Sequence, residues 1–302
     1  MAAQTYPGRT VVLSVPTPPG GQPDILARLV ADRLSKALPQ RLVVENRAGA
    51  NSNISPREVA RAAPDGHTLL VASAPFLINT SLYTDLAFDP IRDFVPVAML
   101  GAAPSILIVH PSVPAKTLAE FVDYLRQSAG KPIYASPGAG TASRLLFEQF
   151  KRLAGVEPGI VPYRGAGPVF NDVLAGHVPM TIAQVEVAAA MVREGRLRAL
   201  AVSSRERSAL LPDVPTFREL GFPIEVTVWS GLYAPAGTPP AIVELLNAET
   251  RKALAEPAAR DVMGKLGIVS EPLTPAQLGD LVRAEIARYA GIVKAAGITV
   301  DQ

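Results

Sequence analysis

The chain has 302 residues, a net charge of +2, 48% hydrophobic and 19% charged residues. That length favours two lobes over one domain, and the composition fits a globular protein with a sizeable core. The near-neutral balance, with no basic run interleaved with aromatics, argues against nucleic acid. The absence of cysteine excludes disulfides, thiolate metal sites and cysteine nucleophiles.

In chain order, Met1–Gln4 shows no basic and apolar leader. The chain is therefore either cytosolic or the mature form of an exported protein. Val11–Val15 reads as a strand, followed by the loop Thr17–Asp24 and a helix with Leu26, Val30, Leu34 and Leu38 on one face. Glycines let a ligand approach the main chain, and a helix N-terminus offers unpaired N–H groups and a positive dipole end. The loop is thus a candidate anion seat. Thr17, Pro19, Gly20, Gln22 and Asp24 are its candidate contacts, and Asp24 also suits an N-cap. Residues 41–44 form the next strand. Ser55…Glu58 reads as a capping box with Pro56 at the first helical position. Thr68–Ala72 is a strand, after which Ser73 and Phe76 are expected to line a ligand site, Phe76 by apolar contact.

Residues 95–110, two apolar runs broken by Gly101-Ala102-Ala103-Pro104, are expected to carry the chain from one lobe to the other. A helix opens at the box Thr117…Glu120. Residues 132–136 are a strand, and the loop after it, through Ser143, repeats the first arrangement ahead of a helix with Leu145, Leu146, Phe150 and Leu153. Ser136, Gly138, Gly140, Thr141, Ala142 and Ser143 are its candidate contacts, with Gly140 expected to require glycine. Arg144, in the first turn, either extends into solvent or forks a ligand carboxylate. Residues 178–183 and 197–203 read as buried strands around a helix. Thr216…Glu219 and Thr274…Gln277 are further capping boxes, and 226–234 is the second crossing, carrying Trp229 and Tyr233 as packing residues. His67, His110 and His177 have no metal-ligand spacing. No coherent acid, base, nucleophile or metal set appears. The alternation of strands and helices gives an α/β class. The first lobe is expected over 5–101 and 226–302, containing both ends. The second is expected over 102–225, inserted, with both loops at a cleft between lobes.

Several motifs recur together in order. They are Val15-Pro16-x-Pro18-Pro19-Gly20-Gly21-x-x-Asp24, Val44-Glu45-Asn46-Arg47-x-Gly49, Ala63-Pro64-Asp65-Gly66, Gly138-x-Gly140-Thr141, Val161-Pro162-Tyr163-x-Gly165 and Leu211-Pro212-Asp213-Val214-Pro215-Thr216. In this the chain resembles the Bug family, the extracytoplasmic substrate-binding proteins of tripartite tricarboxylate transporters. The resemblance spans nearly the whole chain. It implies a two-lobe, type II periplasmic binding protein fold of the Venus-flytrap kind, with no catalysis and no cofactor. It implies a small organic carboxylate as ligand (dicarboxylate, aromatic acid or acidic amino acid) and membrane permease subunits as partners. It further implies a monomer in the periplasm whose signal peptide has been removed. Tyr163 and Gln184 join the ligand-binding set by the same resemblance. The chain departs from the family pattern at Thr17, Gln22-Pro23, Arg144 and Ile182-Ala183-Gln184, and selectivity is expected from Thr17, Phe76, Arg144 and Gln184. Two alternatives stand beside this reading: a cytosolic α/β enzyme acting on an acidic substrate, and a binding protein that reports to a sensor kinase.

Overall fold

The computed structural model describes residues 6–128 and 132–300. The leader expectation for Met1–Gln4 lies outside them. By its internal contacts the chain divides into two compact units. The first holds the described residues through Ala102, with Trp229–Gly264 and Val269–Ala290. The second holds Ala103–Val228, Lys265–Ile268 and the described residues from Gly291 on.

In the first unit, β1 (Val11–Val15) lies between β2 (Leu42–Asn46) and β3 (Thr68–Ala72), parallel to both. β9 (Thr227–Pro235) runs antiparallel to β3, and β4 (Phe94–Val109) follows in the strand order. Parallel strands are covered on both faces, so β1 and β3 are almost wholly apolar and buried. Helix α1 (Gln22–Ala37) presents Leu26, Ala27, Val30 and Leu34 to the core. α3 (Ala74–Leu82) follows β3 after a single residue. Because β1, β2 and β3 run the same way, their carboxyl ends share one sheet edge. That edge carries the loop into α1, the end of β2 and the start of α3.

In the second unit, the later part of β4 pairs antiparallel with β7 (Met180–Gln184) and with β8 (Arg198–Val202). β5 (Ile133–Ser136) lies parallel to β7 and to β6 (Gly159–Pro162). Helix α5 (Ala142–Ala154) buries Leu145, Leu146, Phe147 and Phe150. α6 (Ala166–Leu174) and α7 (Val185–Arg193) pack through Val169, Val173, Val185 and Ala188 into a core cluster with Ile106, Ile108 and Ala135. The carboxyl ends of β5 and β7 lie at one edge, since Tyr134 pairs with Met180 in parallel register.

Three local expectations change. The crossing expected as two broken runs is one strand, β4, in which Gly101 and Pro104 are accommodated; the unit division falls after Ala102 within it. Ser55 does not cap. Helix α2 (Ile54–Val59) has Asn53 at its N-cap, and the buried Ser55 hydroxyl sits 2.8 Å from that of Ser14 on β1. A buried hydroxyl needs a partner, and the strand supplies one. The Thr216/Glu219 box forms reciprocally, at 3.0 and 2.7 Å, but the segment turns at Gly221, which takes φ +86°, before Pro223. By contrast, Thr117 caps α4 (Leu118–Gln127), and the Thr274/Gln277 box opens α10 (Pro275–Ala296). Among the described residues no helix is long and apolar enough to cross a membrane.

Candidate functional site

The first loop is held from below by a polar lattice. Asp24 is not the N-cap of α1. Gly21 is, and Asp24 lies in the first turn, where its carboxylate accepts from the Gly20 N–H at 2.9 Å. Arg28, one turn on, donates to the same carboxylate, and Asn46 at the end of β2 donates to it at 2.8 Å and to the Thr17 carbonyl at 3.0 Å. Burial pushes the Asp24 carboxyl up. Hydrogen bonds from Arg28, Gly20 and Asn46, with the Arg28 charge, outweigh that and hold it below the usual carboxylate range. Asp24 therefore shapes the loop from inside. Gly20 takes φ +90°, a conformation few other residues adopt. Thr17, Pro19 and Gly20 are half-buried or exposed, whereas Gln22 is buried. The Thr17 Oγ1 is buried without a hydrogen-bond partner. Asn46 carried no assigned role in the sequence. Its neighbourhood to the loop follows only from β2 lying parallel beside β1.

Ser73, at the N-cap of α3, is half-buried and its side chain makes no capping bond. Parallel pairing of β1 and β3 brings it to the same edge as the first loop. Phe76 does not line that edge. Its ring is 1% exposed and packs against Phe94, Tyr233 and Phe88 at centroid distances of 5.0, 5.1 and 5.5 Å. A helix sends residues N1 and N3 to different faces, and the N3 side chain here meets the core.

The second loop is held by hydroxyls. Ser136 is fully buried and accepts from the Gly138 N–H. Thr141 caps α5, accepting from the Arg144 N–H, while its own hydroxyl donates to the Gly138 carbonyl at 2.7 Å. The Ser143 hydroxyl donates to Thr141 Oγ1 at 3.2 Å. The left-handed position is Gly138, with φ +138°; Gly140 is not among the positive-φ glycines, so the conformational need falls two residues earlier than expected. Main-chain N–H groups of Ala142 and Ser143, in the first turn of α5, have no partner within the helix. The arrangement can seat an anionic oxygen on N–H dipoles without a cation.

Arg144 is not extended into solvent. Its side chain is 5% exposed and its Nε donates to Glu148, itself 7% exposed, at 3.0 Å. Lys151 reaches Glu148 at 3.2 Å and Glu157 at 3.0 Å. The spacing of 144, 148 and 151 places all three on one helix face. Tyr163 lies after β6, and its main-chain N–H donates to the Ser136 carbonyl; its hydroxyl donates to Asp172 on α6 at 2.7 Å. Gln184 closes β7 and is half-buried at the edge shared with this loop. The second unit thus brings Ser136–Arg144, Tyr163 and Gln184 together, and the first brings Thr17–Asp24 and Ser73 together.

Two groups with a bearing on the site were not evident from the sequence. One is Asn46. The other is Glu186, in the first turn of α7, whose Oε2 is buried with no hydrogen-bond partner. Burial pushes its carboxyl up to about 7, only partly offset by its own main-chain N–H. A folded-state value above the ordinary 4.3 or so means that the native state favours the neutral acid. Ionising Glu186 costs stability progressively as pH rises between those two values, and the full cost, about 3 kcal/mol, is present above about pH 7. Glu186→Gln should therefore stabilise the protein by that amount near pH 8 and by almost nothing near pH 4. Urea unfolding at the two pH values checks this, and an equal gain at both would contradict it. Among the described residues no group of three or more His, Cys, Asp or Glu is placed to hold a metal ion.

Comparison with known proteins gives one consistent result. Residues 26–298 match the model of the family described as TctC, tripartite tricarboxylate transporter family receptor. The chain is 36% identical to Protein BugT of Bordetella pertussis over 300 residues, covering 98% of this chain and 92% of that protein. It is similar to the solved structure of Rpa4515 from R. palustris with adipate, at TM-score 0.89 and 34% identity, covering 97% of this chain and 99% of the other. It is also similar to MatC from Rhodopseudomonas palustris with bound malate, at TM-score 0.85 and 37% identity, covering 95% and 100%.

Proposed function

Since the chain belongs to the tripartite tricarboxylate transporter receptor family, we propose that it captures a small organic carboxylate outside the cytoplasm and presents it to the permease subunits of such a transporter. Its fold is the two-lobe α/β fold of the periplasmic binding proteins of this type. It is a solute-binding receptor and not an enzyme, which sets aside the reading of a cytosolic enzyme on an acidic substrate.

One observation carries the ligand class: each unit has a glycine loop at the carboxyl end of a parallel strand, opening onto the first turn of a helix. Such a turn favours an anion through its N–H groups and its dipole. Adipate and malate, bound by the two relatives, are both dicarboxylates, and that class extends to this chain. Carboxylate oxygens are read by main-chain donors of Gly21 in the first unit and of Ala142 and Ser143 in the second. Thr17, Ser73, Thr141 and Gln184 provide uncharged polar contacts nearby. Arg144 acts as a positioning residue, holding the first turn of α5 through its bond to Glu148.

A thermal-shift screen across mono-, di-, tricarboxylic and aromatic acids, followed by calorimetry, tests the proposal. A ligand at about 100 times its Kd should stabilise the native state by about 2.7 kcal/mol. Stabilisation by neutral solutes alone, with no acid active, would refute it.

A further inference from the structure

Glu186 stands apart from the other acids near the site. It begins α7 two residues after β7 ends at Gln184. β7 is parallel to β5, with Tyr134 level with Met180, so the end of β7 and the start of α7 lie at the same sheet edge as the loop that enters α5. Two buried polar atoms of these elements lack a hydrogen bond of ordinary geometry: Glu186 Oε2 of α7 and the hydroxyl of Tyr134 on β5. Tyr134 is fully buried, stacked on Phe147 at 3.7 Å, and its hydroxyl lies among Ser143, Thr181 and Ile182. Buried polar groups are nearly always satisfied, and each that is not costs free energy that a ligand oxygen or a bridging water can recover.

The charged neighbours do not answer Glu186. β7 has no ionisable residue. On β8, Arg198 donates to the Val113 and Ala115 carbonyls. Arg193, at the far end of α7, donates to the Leu210 carbonyl. On α6, Asp172 accepts from Tyr163 and lies 3.3 Å from His177. Arg144 of α5 is bonded to Glu148, and Asp213 follows the packed Leu211. Among these groups no cation pairs with Glu186, and burial dominates its protonation.

We propose that Glu186 contacts the bound carboxylate as a neutral acid, donating from Oε2 to a ligand oxygen directly or through one water, and that it thereby selects ligands with an acceptor at that point. The inference rests on the carboxylate-binding reading. An anion arriving beside an unpaired acid raises that acid's proton affinity, so binding draws a proton from solvent. Affinity is then constant at low pH and falls about tenfold per pH unit above about 7.

The test is calorimetry with malate and adipate on the wild type, Glu186→Gln and Glu186→Ala. Titrations run near pH 7 in two buffers of different protonation enthalpy, then across about pH 5.5–8.5. The wild type should take up about half a proton, because the free acid is half ionised there. Glu186→Gln keeps a neutral donor, so it should retain the low-pH affinity, with no proton uptake and no pH dependence. Glu186→Ala should lose about tenfold at low pH, the equivalent of one hydrogen bond. Binding of an acid with no proton uptake by the wild type, or identical affinities in all three proteins, overturns the role of Glu186 and leaves carboxylate capture standing. Absence of binding of any organic acid at any pH overturns both.

Discussion

Gly138→Val should reduce carboxylate affinity more than tenfold while leaving the protein folded. Gly138 takes φ +138°, where a β-branched residue is strained by roughly 1–3 kcal/mol. A Cβ at that position would meet only the Thr141 Cγ2, at 3.8 Å, so the cost comes from backbone angle and not from collision. The strain is relieved by turning the loop, and the loop carries the Thr141 hydroxyl bond to the Gly138 carbonyl. Losing that bond should tilt the capped first turn of α5 and misdirect the N–H groups proposed to seat the anion. Gly155→Ala is the matched control. Gly155 takes φ +63° at the opposite end of the same helix, and a Cβ there would have no atom within 4 Å. It should cost about 1 kcal/mol of stability and leave affinity unchanged. Calorimetry with urea unfolding on both variants decides the matter. Equal loss of affinity in the two would mean that the loop has no special part.

Glu148→Ala should be among the most destabilising single substitutions in the second unit, at about 3–5 kcal/mol. Glu148 is the buried anion between Arg144 and Lys151, whose side chains are 5% and 12% exposed. Removing it strands the Arg144 guanidinium in the core. Lys151 keeps Glu157, which is 85% exposed and offers a weak, screened partner. The paired replacement Arg144→Met with Glu148→Leu removes both charges at similar volume and should recover most of the loss. Urea unfolding of the single and double variants measures this as a cycle. A cost below about 1 kcal/mol for Glu148→Ala would show that the guanidinium escapes to water.

The elements that place the loops were legible because their causes are local. The nearly all-apolar run of β1, proline and glycine after it, and an apolar stripe at helical spacing specify strand, loop and helix from neighbours in sequence alone. The same holds for Thr68–Ala72, which is β3 to the residue. Composition, alternation and the ordered motifs were enough for the α/β class, the receptor family and two glycine loops that each lead into a helix.

What each polar side chain does was decided by tertiary structure. Asp24 suits an N-cap by sequence, but Asn46, 22 residues later, reaches it only because β2 lies beside β1. Phe76 closely follows a strand's carboxyl end and so reads as available to a ligand; the positions of Phe88, Phe94 and Tyr233 turn it into the core. Arg144, in a first turn where a cation opposes the helix dipole, reads either as a surface cation or as a fork for a ligand carboxylate. The face it shares with Glu148 and Lys151 is the buried one, a fact set by what packs against α5. Glu186 is an ordinary surface glutamate in sequence, and its raised proton affinity exists only because folding removes water without supplying a partner. Local spacing fixes which way the backbone runs. Burial and pairing depend on residues far along the chain, and these set the charge and orientation of the groups a ligand would meet.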